Sequence, residues 1–328
     1  MKKRVLTGYR PTGQLHLGHL HGNLNSMLEL QDKYECFFFI ADWHALTTNY
    51  ADTDKLLQYV DEMVLDWLAI GLDPNKCAIY RQSDMMEIAE LALYFSMLTP
   101  IAWLERNPTY KEQLNELKAK EIATHGFIGY PVLQAADILS VHADFVPVGE
   151  DQLPHLELSR EIARRFNHFY GKYLKEPKAL LSHTKRLPGI DGRKMSKSYG
   201  NAIYLNDEPE TIAKKVMKMI TDPEKIRKND PGHPEICSVF ALHKLYSPEQ
   251  AEDIAARCRS GELGCVADKG DLAEKICSSL KPYQKRRLEL ARDPDTVKKV
   301  LAGGAAKAHP LISETLHQVR RLIKIERD

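Results

Sequence analysis

Apolar positions in this chain alternate between short continuous runs and longer stretches of helical spacing, starting near the N-terminus. Val5 and Leu6 form a short strand, and Gly8, Pro11, Thr12 and Gly13 make a turn. From His16 onward Leu17, Leu20, Leu24, Met27 and Leu28 share one helix face. The run Cys36–Asp42 (CFFFIAD) reads as a strand buried on both faces. A helix capped by Asp52 and Thr53 runs to about Gly71, with Leu56, Val60, Met63, Val64 and Trp67 inward, and Cys77–Arg81 is the next strand. Glu87–Leu98 is a helix stopped by Pro100, and Trp103–Lys120 is charged and half helical, with Pro108 and Thr109 marking a start. A helix over Thr124–Val141, a strand over Phe145–Gly149, a helix over Pro154–Tyr170 and a strand over Ala179–Ser182 complete the series.

This alternation predicts an α/β fold with a Rossmann-type parallel sheet, helices on both faces and ligands at the carboxyl ends of the strands, where Gly8, Asp42, Gln82 and Gly149 fall. Beyond Asn201 only helical patterns follow: Pro209–Ile220, Ser238–Tyr246, Pro248–Arg259, Asp271–Glu289, Pro294–Val300 and Pro310–Ile325. Two domains are predicted, a nucleotide-binding domain over 1–200 and an all-helical C-terminal domain over 201–328.

The 328 residues suffice for two medium domains, and 46 Lys plus Arg against 45 Asp plus Glu give no global electrostatic case for a nucleic-acid partner. A local case exists in Lys281–Asp328, with 12 basic and 6 acidic residues, although a solvated helix face explains it equally well. No run approaches ~20 apolar residues, and the basic N-terminus has no signal-peptide core, which predicts a cytoplasmic protein with no membrane partner. Six scattered cysteines fit reduced thiols better than a disulfide framework.

Two segments carry chemistry. In GYRPTGQLHLGHLHGN (Gly8–Asn23) a strand, a turn and a helix N-terminus follow one another, an arrangement that favours phosphate, with His16 and His19 on one side of the first turn and Gly18 between them. In RLPGIDGRKMSKSYGN (Arg186–Asn201) a glycine-bounded loop presents Lys194 and Lys197 around Met195 and Ser196, suited to a polyphosphate whose charge shifts during reaction. Either segment alone is matched by a bland reading, a surface histidine pair or a basic linker.

Together HLGH and KMSKS, in this order, resemble the two signatures of class I aminoacyl-tRNA synthetases. GxRPTGxLHLGH, ADWHALT (Ala41–Thr47), YPVLQAADIL (Tyr130–Leu139), VPVGEDQ (Val146–Gln152), GRKMSKSYGN and MITDP (Met219–Pro223) resemble bacterial tryptophanyl-tRNA synthetases. The resemblance implies a homodimeric tryptophan–tRNA ligase whose helical domain reads the anticodon, with ATP, Mg²⁺, tryptophan and the tRNA for tryptophan as partners. It implies catalytic roles for His16, His19, Lys194 and Lys197, and for Lys111, which a surface position explains equally well. Arg10, Pro11, Thr12, Gly18, Gly149, Glu150, Asp151, Leu187, Met195, Ser196 and Ser198 complete the ATP site. The tryptophan pocket takes in Leu6, Gly8, His44, Tyr130, Gln134, Asp137, Ile138, Val146, Val148 and Gln152.

Tyr130, Gln134 and Asp137 share one helix face. An indole N–H only donates, so its pocket needs one acceptor in an apolar cavity, and Asp137 fits. This helix does not by itself exclude tyrosine, because archaeal-type tyrosyl-tRNA synthetases use a Tyr, Gln and Asp at the same spacing. Leu6 discriminates: those enzymes place there a Tyr that bonds the substrate hydroxyl, and leucine makes no such bond. A nucleotidyltransferase of the HxGH type would lack KMSKS and the helical extension, and a catalytically dead relative would not need His16, His19, Lys194, Lys197 and Asp137 together. Some bacterial relatives carry an iron–sulfur cluster on four cysteines. Cys237, Cys258 and Cys265 resemble three of these, but the fourth position is Asp268 and Cys277 lies too far along, a poor match to a four-thiolate site.

Overall fold

The computed structural model describes residues 2–107, 123–181 and 187–326. Five strands, β1 (Arg4–Tyr9), β2 (Glu35–Ile40), β3 (Cys77–Arg81), β4 (Phe145–Val148) and β5 (Lys178–Leu181), form one parallel sheet in the order β3-β2-β1-β4-β5. Val5 of β1 pairs with Cys36 on one side and Phe145 on the other, so the chain changes direction across the sheet beside β1. In such sheets a crevice opens at that switch point. The five consecutive buried residues of β2 explain the apolar run there, since helices cover both faces. Gly8, at the carboxyl end of β1, is exposed, and a Cβ there would lie 2.4 Å from the Phe39 ring, so only glycine fits.

Apart from Trp103–Lys120, most of which lies outside the described residues, the predicted elements are present with shifted ends. The helix His125–Ser140 starts at Thr124, whose side chain accepts from Phe127 N as an N-cap, and buries Val132, Ala135, Ala136, Ile138 and Leu139. The helix Leu56–Ile70 is not capped by Asp52 or Thr53, since Lys55 precedes it without a capping bond, but Gly71 ends it at φ 117°. Asp42 was expected to end a strand and instead opens the helix Asp42–Asn49. The start expected at Pro108 and Thr109 lies outside the described residues. The segments expected as helices at Pro294–Val300 and Pro310–Ile325 are one helix, Thr296–Leu322, with Pro310 inside it.

Two compact units result, and the cut is not at Asn201. One comprises Met1–Thr12, Ser26–His183 and Asp293–Asp328; the other Gly13–Asn25 and Thr184–Arg292. The last helix belongs to the sheet unit because its apolar face, with Leu301, Gly304, Ala308, Ile312, Leu316 and Val319, covers β3. Arg320 pairs there with Glu90 at 2.5 Å, and Thr315 Oγ1 donates to Ser140 O at 2.7 Å. The second unit contains the helices Pro209–Met217, Ser238–Tyr246, Ala251–Arg259 and Cys265–Leu290. No helix among the described residues is long and apolar enough to cross a membrane.

Candidate active site

In the second unit the chain itself joins the two signature segments. Leu17 N donates to Ile203 O and Leu205 N to Leu15 O, both at 3.0 Å, and His16 bridges Tyr204, so HLGH is stitched to the strand-like stretch that follows KMSKS. The rings of His16 and His19 lie 3.8 Å apart, and His16 N donates to His19 Nδ1 at 3.1 Å. With Nδ1 accepting, the proton of neutral His19 sits on Nε2. Burial, then Lys197 and Lys194, lower His16 to about 4, and burial, His16 and Lys197 hold His19 well below its ordinary value. Both rings are therefore neutral at pH 7 and can offer N–H donors to a phosphate without bringing charge of their own. A Cβ at Gly18 would lie 2.9 Å from the His16 ring, so the ring packs directly against this glycine. The helix continues as a π-helical turn over Leu20–Leu24, a local deviation frequent at functional sites.

The lysine loop is a small braced hairpin. Met195 N donates to Leu187 O at 2.8 Å and Gly189 N to Arg193 O at 2.7 Å, with Leu187 and Met195 buried. Asn201, itself buried, holds the hairpin from behind. Its Oδ1 accepts from Ser196 N at 2.8 Å, and its Nδ2 donates to Asp191 Oδ1 at 2.7 Å and to Lys194 O at 3.1 Å. Lys194 is exposed, whereas Lys197 Nζ donates to Gly13 O at 3.0 Å, beside the histidines. Lys111 lies outside the described residues, as do the side chains of Asp151 and Ser198.

In the sheet unit Asp137 is 0% exposed and accepts three hydrogen bonds from two side chains. His44 Nε2 donates to Oδ2 at 2.9 Å, and Gln82 Nε2 to Oδ1 at 2.8 Å and Oδ2 at 2.9 Å. Leu6, 1% exposed, packs in the same core as Ile138, Val146 and Val148. Gln152 Oε1 accepts from His155 Nδ1 at 3.1 Å, which leaves Nε2 to accept the Tyr130 hydroxyl at 2.8 Å. Burial pushes the Tyr130 phenol up to about 12, and Arg10 pulls it back. Gln134 is half-buried, Gly149 precedes the short turn Glu150–Gln152, and Glu150 is exposed. Pro11 and Thr12 line a separate cleft of about 270 Å³ with Ala45, Asn49 and Tyr59. Gln82 and His155 were not among the expected pocket residues, and Asn201, though inside the expected loop, was given no role there. Their only sequence signal was position, Gln82 at a strand end and Asn201 closing the KMSKS stretch.

The cysteine region does not fit a metal cluster. Asp268, in the fourth position, pairs with His243 at 3.1 Å, and burial raises the Cys237 and Cys258 thiols, favouring their protonated form. Among the described residues no group of three or more His, Cys, Asp or Glu could hold a metal ion.

A five-stranded parallel sheet with a switch point, paired with HLGH and KMSKS segments stitched to one another, defines a class I aminoacyl-tRNA synthetase. Residues 1–281 match the family described as tRNA synthetases class I (W and Y), and the chain belongs to it. It is 46% identical to the tryptophan–tRNA ligase of Thermotoga maritima over 98% of this chain and 99% of that one. To the tryptophan–tRNA ligase of Aquifex aeolicus it is 44% identical, over 98% and 100%. The tryptophanyl-tRNA synthetase of Campylobacter jejuni, solved with ADP and tryptophan, superposes with a TM-score of 0.89 at 35% identity, covering 98% of this chain and 99% of that one.

Proposed function

We propose that this protein is a tryptophan–tRNA ligase, which activates tryptophan with ATP and transfers it to the tRNA for tryptophan. The observation that carries the amino-acid choice is a fully buried carboxylate, Asp137, in a core where Leu6 offers no polar partner. A phenol site would need a second polar group at Leu6, and an enzyme built around one discriminates strongly by leaving it unpaired with the wrong substrate. In the first step an oxygen of the tryptophan carboxylate attacks the α-phosphorus of ATP, the bond to the bridging oxygen of the β-phosphate breaks, and pyrophosphate leaves. Little proton transfer is needed, so catalysis is positioning and charge stabilisation. Lys194 and Lys197 neutralise the pyrophosphate, Lys111 adds a phosphate contact, and neutral His16 and His19 donate to the phosphates. Met195, Ser196, Ser198 and Leu187 close over the nucleotide, with Arg10, Pro11, Thr12 and Gly18 around it. Gly149, Glu150 and Asp151 hold its ribose or the ammonium group of tryptophan. Mg²⁺ bound with ATP would neutralise part of the charge on its phosphate oxygens. A terminal ribose hydroxyl oxygen of the tRNA then attacks the adenylate carbonyl carbon, the bond from that carbon to the phosphate oxygen breaks, and AMP leaves as the hydroxyl gives up its proton. Helices after Asn201 read the anticodon, and the protein works in the cytoplasm.

The family resemblance to homodimers is supported by Met86, Leu93 and Met97, each more than half exposed and at spacings that share one side of the helix Met86–Leu98. Sedimentation at twice 37.4 kDa is expected, and a monomer at micromolar concentration would refute the dimer. Amino-acid-dependent exchange of pyrophosphate into ATP tests the activity itself. Exchange with tyrosine alone would favour the tyrosyl reading, and no exchange with either amino acid would leave a tRNA-binding protein.

A further inference from the structure

A carboxylate offers about four acceptor positions, and three of those on Asp137 are filled within the fold. Gln82 Nε2 takes one on each oxygen, at 2.8 and 2.9 Å, and His44 Nε2 takes a second on Oδ2 at 2.9 Å. One position, on Oδ1, is left. The amide cannot be turned round, because Oε1 would then face two carboxylate oxygens. Its Oε1 consequently points elsewhere, buried and unpartnered, as is the hydroxyl of Tyr80 two residues earlier.

We propose that Gln82 is a positioning residue for amino-acid selection, fixing the plane of the Asp137 carboxylate so that a single acceptor remains for the one N–H of an indole. The inference rests on the tryptophan reading and adds to it a residue that does not itself touch the substrate. Burial raises the Asp137 carboxyl, the bonds from His44 and Gln82 pull it back, and Asp42 adds a smaller upward push. The groups facing it are His44 and Asp42 from the helix Asp42–Asn49 and Tyr80 from β3, whose phenol is held well above its ordinary value and stays neutral. The helix Met86–Leu98 contributes apolar Ile88, Leu91 and Phe95 to the surrounding core, and His155 of the helix Leu153–Tyr170 is bonded to Tyr130.

The test is pyrophosphate exchange between pH 6 and 8.5 with Gln82→Leu, Gln82→Glu and Gln82→His. Removing the donor in Gln82→Leu lets Asp137 take up a proton more readily, so the KM for tryptophan rises about tenfold or more and climbs further as pH falls. In Gln82→Glu two carboxylates confront one another, and at low pH the introduced carboxyl is protonated and donates to Asp137. Its KM for tryptophan therefore falls as pH falls. Gln82→His keeps a ring N–H donor and returns the KM to within several-fold of wild type. The KM for ATP stays within about twofold throughout. His44 is present in every variant, so only the opposed slopes carry the inference. Parallel or flat profiles, or losses confined to kcat, would overturn it. If Gln82→Leu fails to fold, the contrast between Gln82→Glu and Gln82→His still decides. Wild-type protein that does not exchange with tryptophan refutes the functional reading, whereas an active wild type with flat variant profiles refutes only the role of Gln82.

Discussion

Two lysines and one asparagine show how a residue acts through its neighbours. Lys197 stands beside His16 and His19, anchored to Gly13 O, while Asn201 ties Ser196 N, Asp191 and Lys194 O together. Lys197→Ala is expected to lower kcat of adenylate formation by about 100-fold with the KM for tryptophan unchanged, because the lost charge acts on the departing pyrophosphate. Asn201→Asp replaces a donor with a carboxylate facing Asp191, so the hairpin loosens, the KM for ATP rises and kcat falls. Unchanged exchange kinetics in both variants would contradict the assignment. His16, His19, Lys194, Lys197 and Asp137 were proposed from the sequence because their residue types sit in short, fixed spacings. Gln82 and Asn201 were not, since a lone amide has no pattern and its role exists only once strand ends or a loop bring partners to it.

Among the elements, the C-terminal helix carries the clearest consequence. Gly303 and Gly304 are adjacent, yet a Cβ at Gly304 would lie 1.8 Å from Ile79 O in β3, while one at Gly303 meets nothing within 4 Å. Gly304→Ala should therefore push the helix off the strand and cost about 3 kcal/mol, lowering Tm by roughly 5 °C or more. Gly303→Ala should gain up to about 1 kcal/mol through helix propensity alone. Thermal melts followed by circular dichroism decide, and equal shifts in the two variants would contradict this packing. The same helix shows why the fold was only partly readable. Gly304 and Pro310 both interrupt a helical pattern, but close contact with β3 uses Gly304 and a long apolar face overrides Pro310. The helix Asp42–Asn49 was hidden for a different reason: it follows β2 with a single residue between, so no loop marks the change of period. The parallel sheet itself was legible because strands such as β2 carry a continuous buried apolar run.

At the scale of the molecule, the sheet unit carries Asp137, and the other unit carries HLGH and KMSKS although HLGH lies near the N-terminus. A single boundary near Asn201 could not be corrected from sequence, because contiguous composition says nothing about which distant segments pack together. The return of the last helix to the sheet also engages part of the basic tail, through Arg320 on Glu90 and Lys307 on the Pro74 carbonyl, which leaves fewer of its charges for a tRNA backbone. The central claim is that these parts together select and activate tryptophan. Exchange of labelled pyrophosphate into ATP, measured with tryptophan and with tyrosine as the only amino acid, tests it directly. Tryptophan should exceed tyrosine in kcat/KM by about 10³-fold or more. Equal rates with the two, or a preference for tyrosine, would contradict the reading of Asp137 and Leu6.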